Sequence, residues 1–146
     1  MALMSRYLAE ARIKRAGPYI EGDVLDLGCA SGEILRDFGH CITSYTGVDY
    51  DERFIEELKT DNPGSTFLAC NLDDESLEFD RAFDCVVMLA IVEHLFNQKL
   101  VFTQVRQLLR PGGRVVITTP TPFGNDVVHR LGAAIGLFAK SAVDDH

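Results

Sequence analysis

The chain alternates short continuous apolar runs with longer segments whose apolar residues recur every three or four positions. Continuous runs predict strands buried on both faces of a parallel sheet, and periodic segments predict the helices that cover it. The predicted strands are 24–27, 45–48, 66–70, 85–89 and 115–118. The predicted helices are 3–16, 33–38, a segment between Asp51 and Asn62, and 97–109. We therefore predict a doubly wound α/β fold whose parallel sheet has the strand order 3-2-1-4-5.

Turn-forming residues separate these elements. Ser31 is expected to cap the amino end of helix 33–38 and Asp51 that of the next helix, because short polar side chains accept hydrogen bonds from the first helical N–H groups. Asn62-Pro63-Gly64 ends this second helix, and Pro111-Gly112-Gly113 turns the chain into the fifth strand.

Size and charge narrow the class of protein. With 146 residues, 47% of them hydrophobic and 25% charged, the chain is predicted to be a single domain, 1–146, with its core at 20–120. The net charge of −8 disfavours a nucleic-acid partner, because phosphate backbones are bound by Lys and Arg. The local basic group at the amino end is interpreted as a solvated helix face; it consists of Arg6, Arg12, Lys14 and Arg15. No apolar run approaches the roughly 20 residues that span a bilayer, so we expect a cytoplasmic protein without a membrane span.

The cysteines show no pattern typical of a site. Cys29, Cys41, Cys70 and Cys85 form no C-x-x-C pair and lie in or beside apolar segments. This spacing fits neither a zinc site nor a redox motif. We expect reduced thiols in the core.

The segment 24–32, VLDLGCASG, is a strand with an acidic residue near its end, followed by glycines that open a helix. Glycine permits positive φ and lets a ligand approach the backbone closely. Turns of this kind at the carboxyl ends of parallel strands bind nucleotides in doubly wound folds. The alternative is a turn that only connects the strand to the helix.

Asp49 ends the second predicted strand, beside the first strand if the crossover is right-handed. Its carboxylate can accept hydrogen bonds from both hydroxyls of a ribose, which indicates an adenosine-type ligand. A dinucleotide fingerprint beginning at Gly28 requires glycines where the chain has Ala30 and Glu33. Asp26 and Glu33 also disfavour a pyrophosphate, whereas they suit a ligand with a positive amino group and a sulfonium.

The order of these motifs resembles that of class I S-adenosylmethionine-dependent methyltransferases of the small-molecule type. Motif I is matched by Asp26-x-Gly28-x-x-x-Gly32, and the acidic residue after strand two by Asp49. The further matches are Asn71-Leu72, Phe83-Asp84, Val92-Glu93-His94-Leu95 and Leu108-Leu109-Arg110-Pro111-Gly112-Gly113. The resemblance covers about residues 20 to 120 and implies a Rossmann-like three-layer sandwich.

The resemblance also implies the cofactor, S-adenosylmethionine, and transfer of its methyl group by direct displacement to an acceptor, which we expect to be a small molecule. The residues placed at the cofactor are Asp26, Gly28, Cys29, Ala30, Gly32, Asp49, Tyr50, Asn71, Leu72 and Leu89. Glu93 and His94 are candidates for an acceptor-side base, but packing or cofactor contact is the favoured interpretation. No metal is expected, because the Glu-x-x-Glu-His arrangement of metal-dependent small-RNA methyltransferases has Ala90 at its first position here.

The chain departs from the family pattern in length. The family's sheet ends with two further strands that form an antiparallel edge, and too few residues follow the fifth strand to supply them. We expect either a truncated piece of a longer protein or a minimal version. Segment 123–140 is interpreted as an apolar helix or lid, and its apolar part, 127–138, as a candidate homo-oligomer contact. A non-catalytic S-adenosylmethionine-binding module and, less favoured, an NAD-dependent oxidoreductase are the alternative functions.

Overall fold

The computed structural model describes residues 2–119, with side chains from Arg6 onward. The predictions for 123–140, for the missing antiparallel strands and for an oligomer contact at 127–138 lie outside the described residues. Within them, the helices are α1 (Ala2–Ala16), α2 (Glu33–Phe38), α3 (Glu52–Asp61) and α4 (Gln98–Leu108). The strands are β1 (Gly22–Leu27), β2 (Ile42–Asp49), β3 (Thr66–Ala69), β4 (Phe83–Leu89) and β5 (Leu109–Thr118).

The strands form one parallel sheet in the order β3-β2-β1-β4-β5, which confirms the predicted topology. β1 lies at its centre, with Asp26 opposite Gly47 of β2 and Val87 of β4. Since every strand runs in the same direction, all the carboxyl ends meet at one edge of the sheet.

Helices cover both faces of the sheet, as the continuous apolar runs predict. Val24 of β1 packs among Ile34 of α2 and Ile55 of α3 on one face. Leu25, its neighbour along the strand, packs among Phe102 and Val105 of α4 on the other face. Successive strand residues point to opposite sides, so a run of apolar residues supplies both cores.

Helix capping agrees with the prediction at one site and differs at another. The Asp51 side chain accepts a hydrogen bond from Arg53 N at 3.0 Å, as expected of a helix cap. At α2 the cap is Gly32, at φ +76°, and not Ser31. The Ser31 hydroxyl instead donates to the Glu33 carboxylate at 2.7 Å, because the left-handed Gly32 lies between Ser31 and the helix.

Three boundaries and one cysteine differ from the sequence prediction. β2 begins at Ile42 and β4 at Phe83, because both strands continue toward the amino edge of the sheet, where their polar residues form hydrogen bonds. The predicted turn at Pro111-Gly112-Gly113 lies inside β5, at a shift in its pairing with β4. Cys41 is exposed, while Cys29, Cys70 and Cys85 are buried as expected.

Candidate cofactor site

A cavity of about 950 Å³ lies at the carboxyl edge of the sheet, where the loops that follow β1, β2, β3 and β4 converge. Its volume is within the range of about 300 to 1,000 Å³ that small-molecule and cofactor sites occupy. Eight residues predicted from the sequence line it: Gly28, Ala30, Asp49, Tyr50, Asn71, Leu72, Leu89 and His94. The alternation of strands and helices therefore brings separate sequence motifs to one site.

Asp49 is held rigidly in the wall of this cavity. Its side chain is buried, and its two oxygens accept hydrogen bonds from Ala30 N at 2.9 Å and Asp51 N at 3.0 Å. A carboxylate has about four acceptor positions, so each oxygen can accept a further hydrogen bond from a ligand. The backbone of two loops thus fixes a carboxylate whose remaining lone pairs are available in the cavity.

The turn after β1 brings backbone close to the ligand space. The amides of Gly28 and Cys29 both donate to Val48 O, at 2.8 and 3.0 Å, which ties this turn to β2. Gly28 has φ +83°, and a Cβ there would lie 2.6 Å from Ile91 Cδ1. Ala30 adopts φ +44° although it carries a side chain. Left-handed backbone at a non-glycine residue is strained, and such strain persists where surrounding structure fixes it, often at ligand sites.

Asn71 and Leu72 form the wall after β3. The Asn71 side chain is tied to its own loop: it accepts from Asp73 N at 3.1 Å and donates to the Asp74 carboxylate at 2.8 Å. Leu72 is buried and presents an apolar surface to the cavity. This wall places an apolar side chain beside polar groups, which suits a heteroaromatic ring.

His94 and Glu93 follow β4 in the short 3-10 helix Val92–His94, and the structure separates them. His94 is exposed and lines the cavity, whereas Glu93 does not line it. One oxygen of Glu93, Oε2, is buried without a hydrogen-bond partner. Across residues 2–119 no group of three or more His, Cys, Asp or Glu side chains is arranged to hold a metal ion.

A second, smaller cavity of about 160 Å³ adjoins the first and is lined by Asp26, Cys29, Glu33 and Arg12, together with residues shared with the larger cavity. Asp26 is 3% exposed and accepts a hydrogen bond from the Tyr45 hydroxyl at 2.6 Å. Burial raises the pKa of Asp26 to about 7, against the lowering effect of the Tyr45 hydrogen bond. Burial likewise raises the pKa of the Cys29 thiol, which keeps it protonated and unreactive.

The sequence prediction placed Gly32 at the cofactor and named Glu93 as a candidate base while favouring a packing role for it, and neither residue lines these two cavities. Gly32 acts instead in the turn: a Cβ there would lie 2.7 Å from Leu58 Cδ2. Arg12 was interpreted as part of a solvated face; it is half-buried and lines both cavities. The other residues of the larger cavity that the prediction missed are Cys70, Asp73, Asp74, Ala90, Ile91, Leu95, Phe96 and Asn97, and those of the smaller cavity include Ala9, Ile13 and Ile34. Phe96 is 96% exposed and lies in the loop between the 3-10 helix Val92–His94 and α4.

The fold and this site together define a doubly wound α/β domain with a cavity at the carboxyl ends of its central strands that is large enough for a nucleoside. The model of the family described as "Methyltransferase domain" matches residues 2–142. The chain belongs to this methyltransferase domain family.

Two relatives show the range of similar sequences. A probable S-adenosylmethionine-dependent methyltransferase of Mycolicibacterium smegmatis is 31% identical over 101 residues, which cover 67% of this chain and 38% of the relative. The mitochondrial ubiquinone biosynthesis O-methyltransferase of Rattus norvegicus is 29% identical over 103 residues, covering 66% of this chain and 30% of the relative. The chain therefore spans about a third of the length of these relatives.

Among solved structures, an S-adenosylmethionine-dependent methyltransferase from Mesorhizobium loti has a TM-score of 0.64 and 27% sequence identity, covering 73% of this chain and 51% of that chain. The complex of DhpI with SAH has a TM-score of 0.67 at 24% identity, covering 80% of this chain and 58% of that chain. The DhpI likeness shows the shared fold. No helix among residues 2–119 is long and apolar enough to cross a membrane.

Proposed function

We propose that this chain binds S-adenosylmethionine and transfers its methyl group to a small-molecule acceptor by direct displacement. The observation that carries the proposal is Asp49: a buried carboxylate at the end of β2, fixed by two backbone amides, in the wall of a cavity that is large enough for a nucleoside. Its free acceptor positions match the two hydroxyls of a ribose.

The rest of the larger cavity fits the nucleoside part of this cofactor. Leu72 offers an apolar face against which an adenine can pack, and Asn71 lies at its polar edge. Gly28 and Ala30 line the same cavity as Asp49, and Ala30 N donates to the Asp49 carboxylate, so the backbone of this turn lies beside the group that would hold the ribose. The similarity in fold to structures solved with SAH supports the same ligand here.

The smaller cavity fits the amino-acid part. Asp26 supplies an acceptor for an ammonium group, and Arg12 supplies a cation for a carboxylate. Arg12 lines both cavities, and among residues 6–119 no hydrogen bond or ion pair ties its side chain to another residue. A carboxyl group and a guanidinium in the lining of one small cavity suit a zwitterion joined to adenosine.

When bound, the cofactor supplies a methyl group already activated by its sulfonium. The protein then has to orient an acceptor and exclude water, and these contributions can account for most of the acceleration. His94 lines the larger cavity, where it can accept a proton from an acceptor hydroxyl or amine. Glu93, which does not line the cavity, is better suited to a structural role.

A small-molecule acceptor is supported by the surface and by the relatives. The net charge of −8 disfavours a phosphate backbone. Ile91, Leu95 and Phe96 give the acceptor side of the cavity an apolar wall next to His94. The names of similar proteins include a ubiquinone biosynthesis O-methyltransferase and a sugar N-methyltransferase, both of which indicate small acceptors in those proteins. A cytoplasmic location remains a prediction.

The second candidate function is a non-catalytic S-adenosylmethionine-binding module. It requires only the cofactor-binding residues, of which Asp49 is the best defined. Both candidates require cofactor binding, and they differ in whether an acceptor is methylated.

Incubation with methyl-tritiated S-adenosylmethionine and three acceptor pools separates the candidates: a phenol, catechol and quinol set, an amino-sugar set, and total RNA. We expect label in one of the small-molecule pools and none in RNA, with loss of labelling in Asp49→Asn and retention in the exposed control Asp80→Asn. Cofactor binding without labelling of any pool would favour the non-catalytic module. Labelling of RNA would contradict the small-molecule assignment.

A further inference from the structure

We propose that Tyr45 is a positioning residue for the cofactor: its hydroxyl holds the Asp26 carboxylate so that this group meets the ammonium group of the ligand. The inference rests on the proposed function and extends it to a residue that does not line either cavity. Asp26 would touch the ligand, and Tyr45 would act through Asp26.

The sheet register produces this pair. Tyr45 of β2 lies opposite Val24 of β1, and Asp26 lies opposite Gly47, so Tyr45 and Asp26 are diagonal neighbours on one face of the sheet. Diagonal neighbours are about 7 to 8 Å apart at Cα, which only a long side chain can bridge. The Tyr45 hydroxyl bridges it, donating to Asp26 Oδ2 at 2.6 Å.

Gly47 leaves the space through which the Tyr45 ring reaches Asp26. A Cβ at Gly47 would lie 3.1 Å from Tyr45 Cε1, 3.0 Å from Phe67 Cδ1 and 2.9 Å from Cys29 Sγ. Phe67 packs against the Tyr45 ring, with centroids 5.9 Å apart and an interplanar angle of 54°. The ring is therefore confined between neighbours, and Tyr45 is only 3% exposed.

The charges around Asp26 explain why it needs this donor. Glu33 of α2 and Asp49 of β2 both oppose its ionisation, while the Tyr45 hydrogen bond favours it. Arg12 of α1 lines the same cavity, and the Cys29 thiol is neutral because burial raises its pKa. Burial raises the pKa of Tyr45 well above its usual value, so the phenol remains a donor throughout the neutral range.

Calorimetry on Tyr45→Phe with two ligands tests the proposal. The first ligand is S-adenosylhomocysteine, which carries the ammonium group, and the second is methylthioadenosine, which lacks the amino-acid part. Removing a hydrogen bond to a carboxylate is expected to weaken the binding of S-adenosylhomocysteine about tenfold or more at pH 7. Methylthioadenosine binding should stay within about twofold, and raising the pH to 8.5 should restore part of the lost affinity, because Asp26 then ionises without its donor.

A double-mutant cycle with Asp26→Asn separates positioning from general structural damage. If Tyr45 acts through Asp26, Tyr45→Phe causes no further loss in the Asp26→Asn background. Tyr19→Phe, at an exposed tyrosine, is the matched control and should leave both affinities unchanged. An equal loss for both ligands, or a full loss in the Asp26→Asn background, would overturn the proposal.

The wild-type protein provides a second measurement if Tyr45→Phe does not fold. Tyr45 is buried while Tyr7, Tyr19 and Tyr50 are exposed, so 3-fluorotyrosine labelling gives one distinct buried ¹⁹F resonance. It should titrate near pH 7 in the free protein and stop titrating when S-adenosylhomocysteine is bound. A resonance insensitive to pH and ligand would overturn the role of Tyr45. Failure of the wild type to bind either ligand would instead refute the proposed function, and this inference with it.

Discussion

Replacing Asp26 with Asn should stabilise the ligand-free protein at alkaline pH. The pKa of Asp26 is raised to about 7 by burial, against 3.8 for an ordinary aspartate. Between these two values the folded state holds a proton that the unfolded chain has released, so the stability of the wild type falls as the pH rises through this window. Three pH units at about 1.4 kcal/mol each set a limit of about 4 kcal/mol. Asparagine avoids this loss, because it is neutral at every pH and its amide oxygen can still accept from Tyr45.

Urea unfolding of both proteins at pH 4, 6 and 8.5 measures the effect. The free energy of unfolding of Asp26→Asn, relative to wild type, should rise by about 2 to 4 kcal/mol between pH 4 and pH 8.5. Any fixed cost of the new amide is independent of pH and cancels in this comparison. The exposed control Asp80→Asn should show a far smaller slope. A relative stability of Asp26→Asn that does not change with pH would refute the assignment of a buried, protonated carboxylate.

Two further predictions concern the turns that frame the site. Gly32→Ala should lower the free energy of unfolding by about 2 kcal/mol in urea denaturation, since φ is +76° and the new Cβ would lie 2.7 Å from Leu58 Cδ2; an unchanged midpoint would contradict the strained turn. Asp51→Ala should cost about 1 kcal/mol through loss of the helix cap. Arg53→Ala, which removes only the exposed ion pair with Asp51, should cost less than about 0.5 kcal/mol; equal thermal shifts for these two variants would show that the cap contributes nothing beyond the ion pair.

The strand order could be predicted because it depends on patterns that the sequence displays directly. Continuous apolar runs such as 85–89 identify buried strands, and right-handed crossovers leave few ways to order them. The first residues of the strands were harder to predict. Thr43 and Ser44 are polar residues typical of loops, yet they belong to β2. There the Ser44 hydroxyl donates to the Asp23 carboxylate at 2.8 Å. That hydrogen bond depends on the pairing register, which local sequence does not display.

At the site, too, residues whose position follows from the topology could be predicted, and residues whose position depends on packing or register could not. Asp49 and Asn71 could be placed at the cavity because they lie at the ends of parallel strands, and the topology brings those ends together. Arg12 could not be placed there from the sequence. Whether an arginine side chain on α1 reaches the cavity depends on how this helix packs against the sheet. The sequence indicates only that Tyr45 is an aromatic residue of the core. Its hydrogen bond to Asp26 depends on the strand register, which places Gly47 opposite that carboxylate.

Calorimetry with S-adenosylhomocysteine, NAD and the Asp49→Asn variant tests the central claim most directly. The account predicts that the wild type binds S-adenosylhomocysteine and does not bind NAD comparably. Asp49→Asn should bind S-adenosylhomocysteine about tenfold to a hundredfold more weakly, because hydrogen bonds from the ribose hydroxyls to a charged acceptor are lost. Thermal unfolding of the same variant checks that the protein remains folded without the charged acceptor for Ala30 N and Asp51 N. Tight NAD binding, or S-adenosylhomocysteine affinity unchanged in a folded Asp49→Asn protein, would contradict the account.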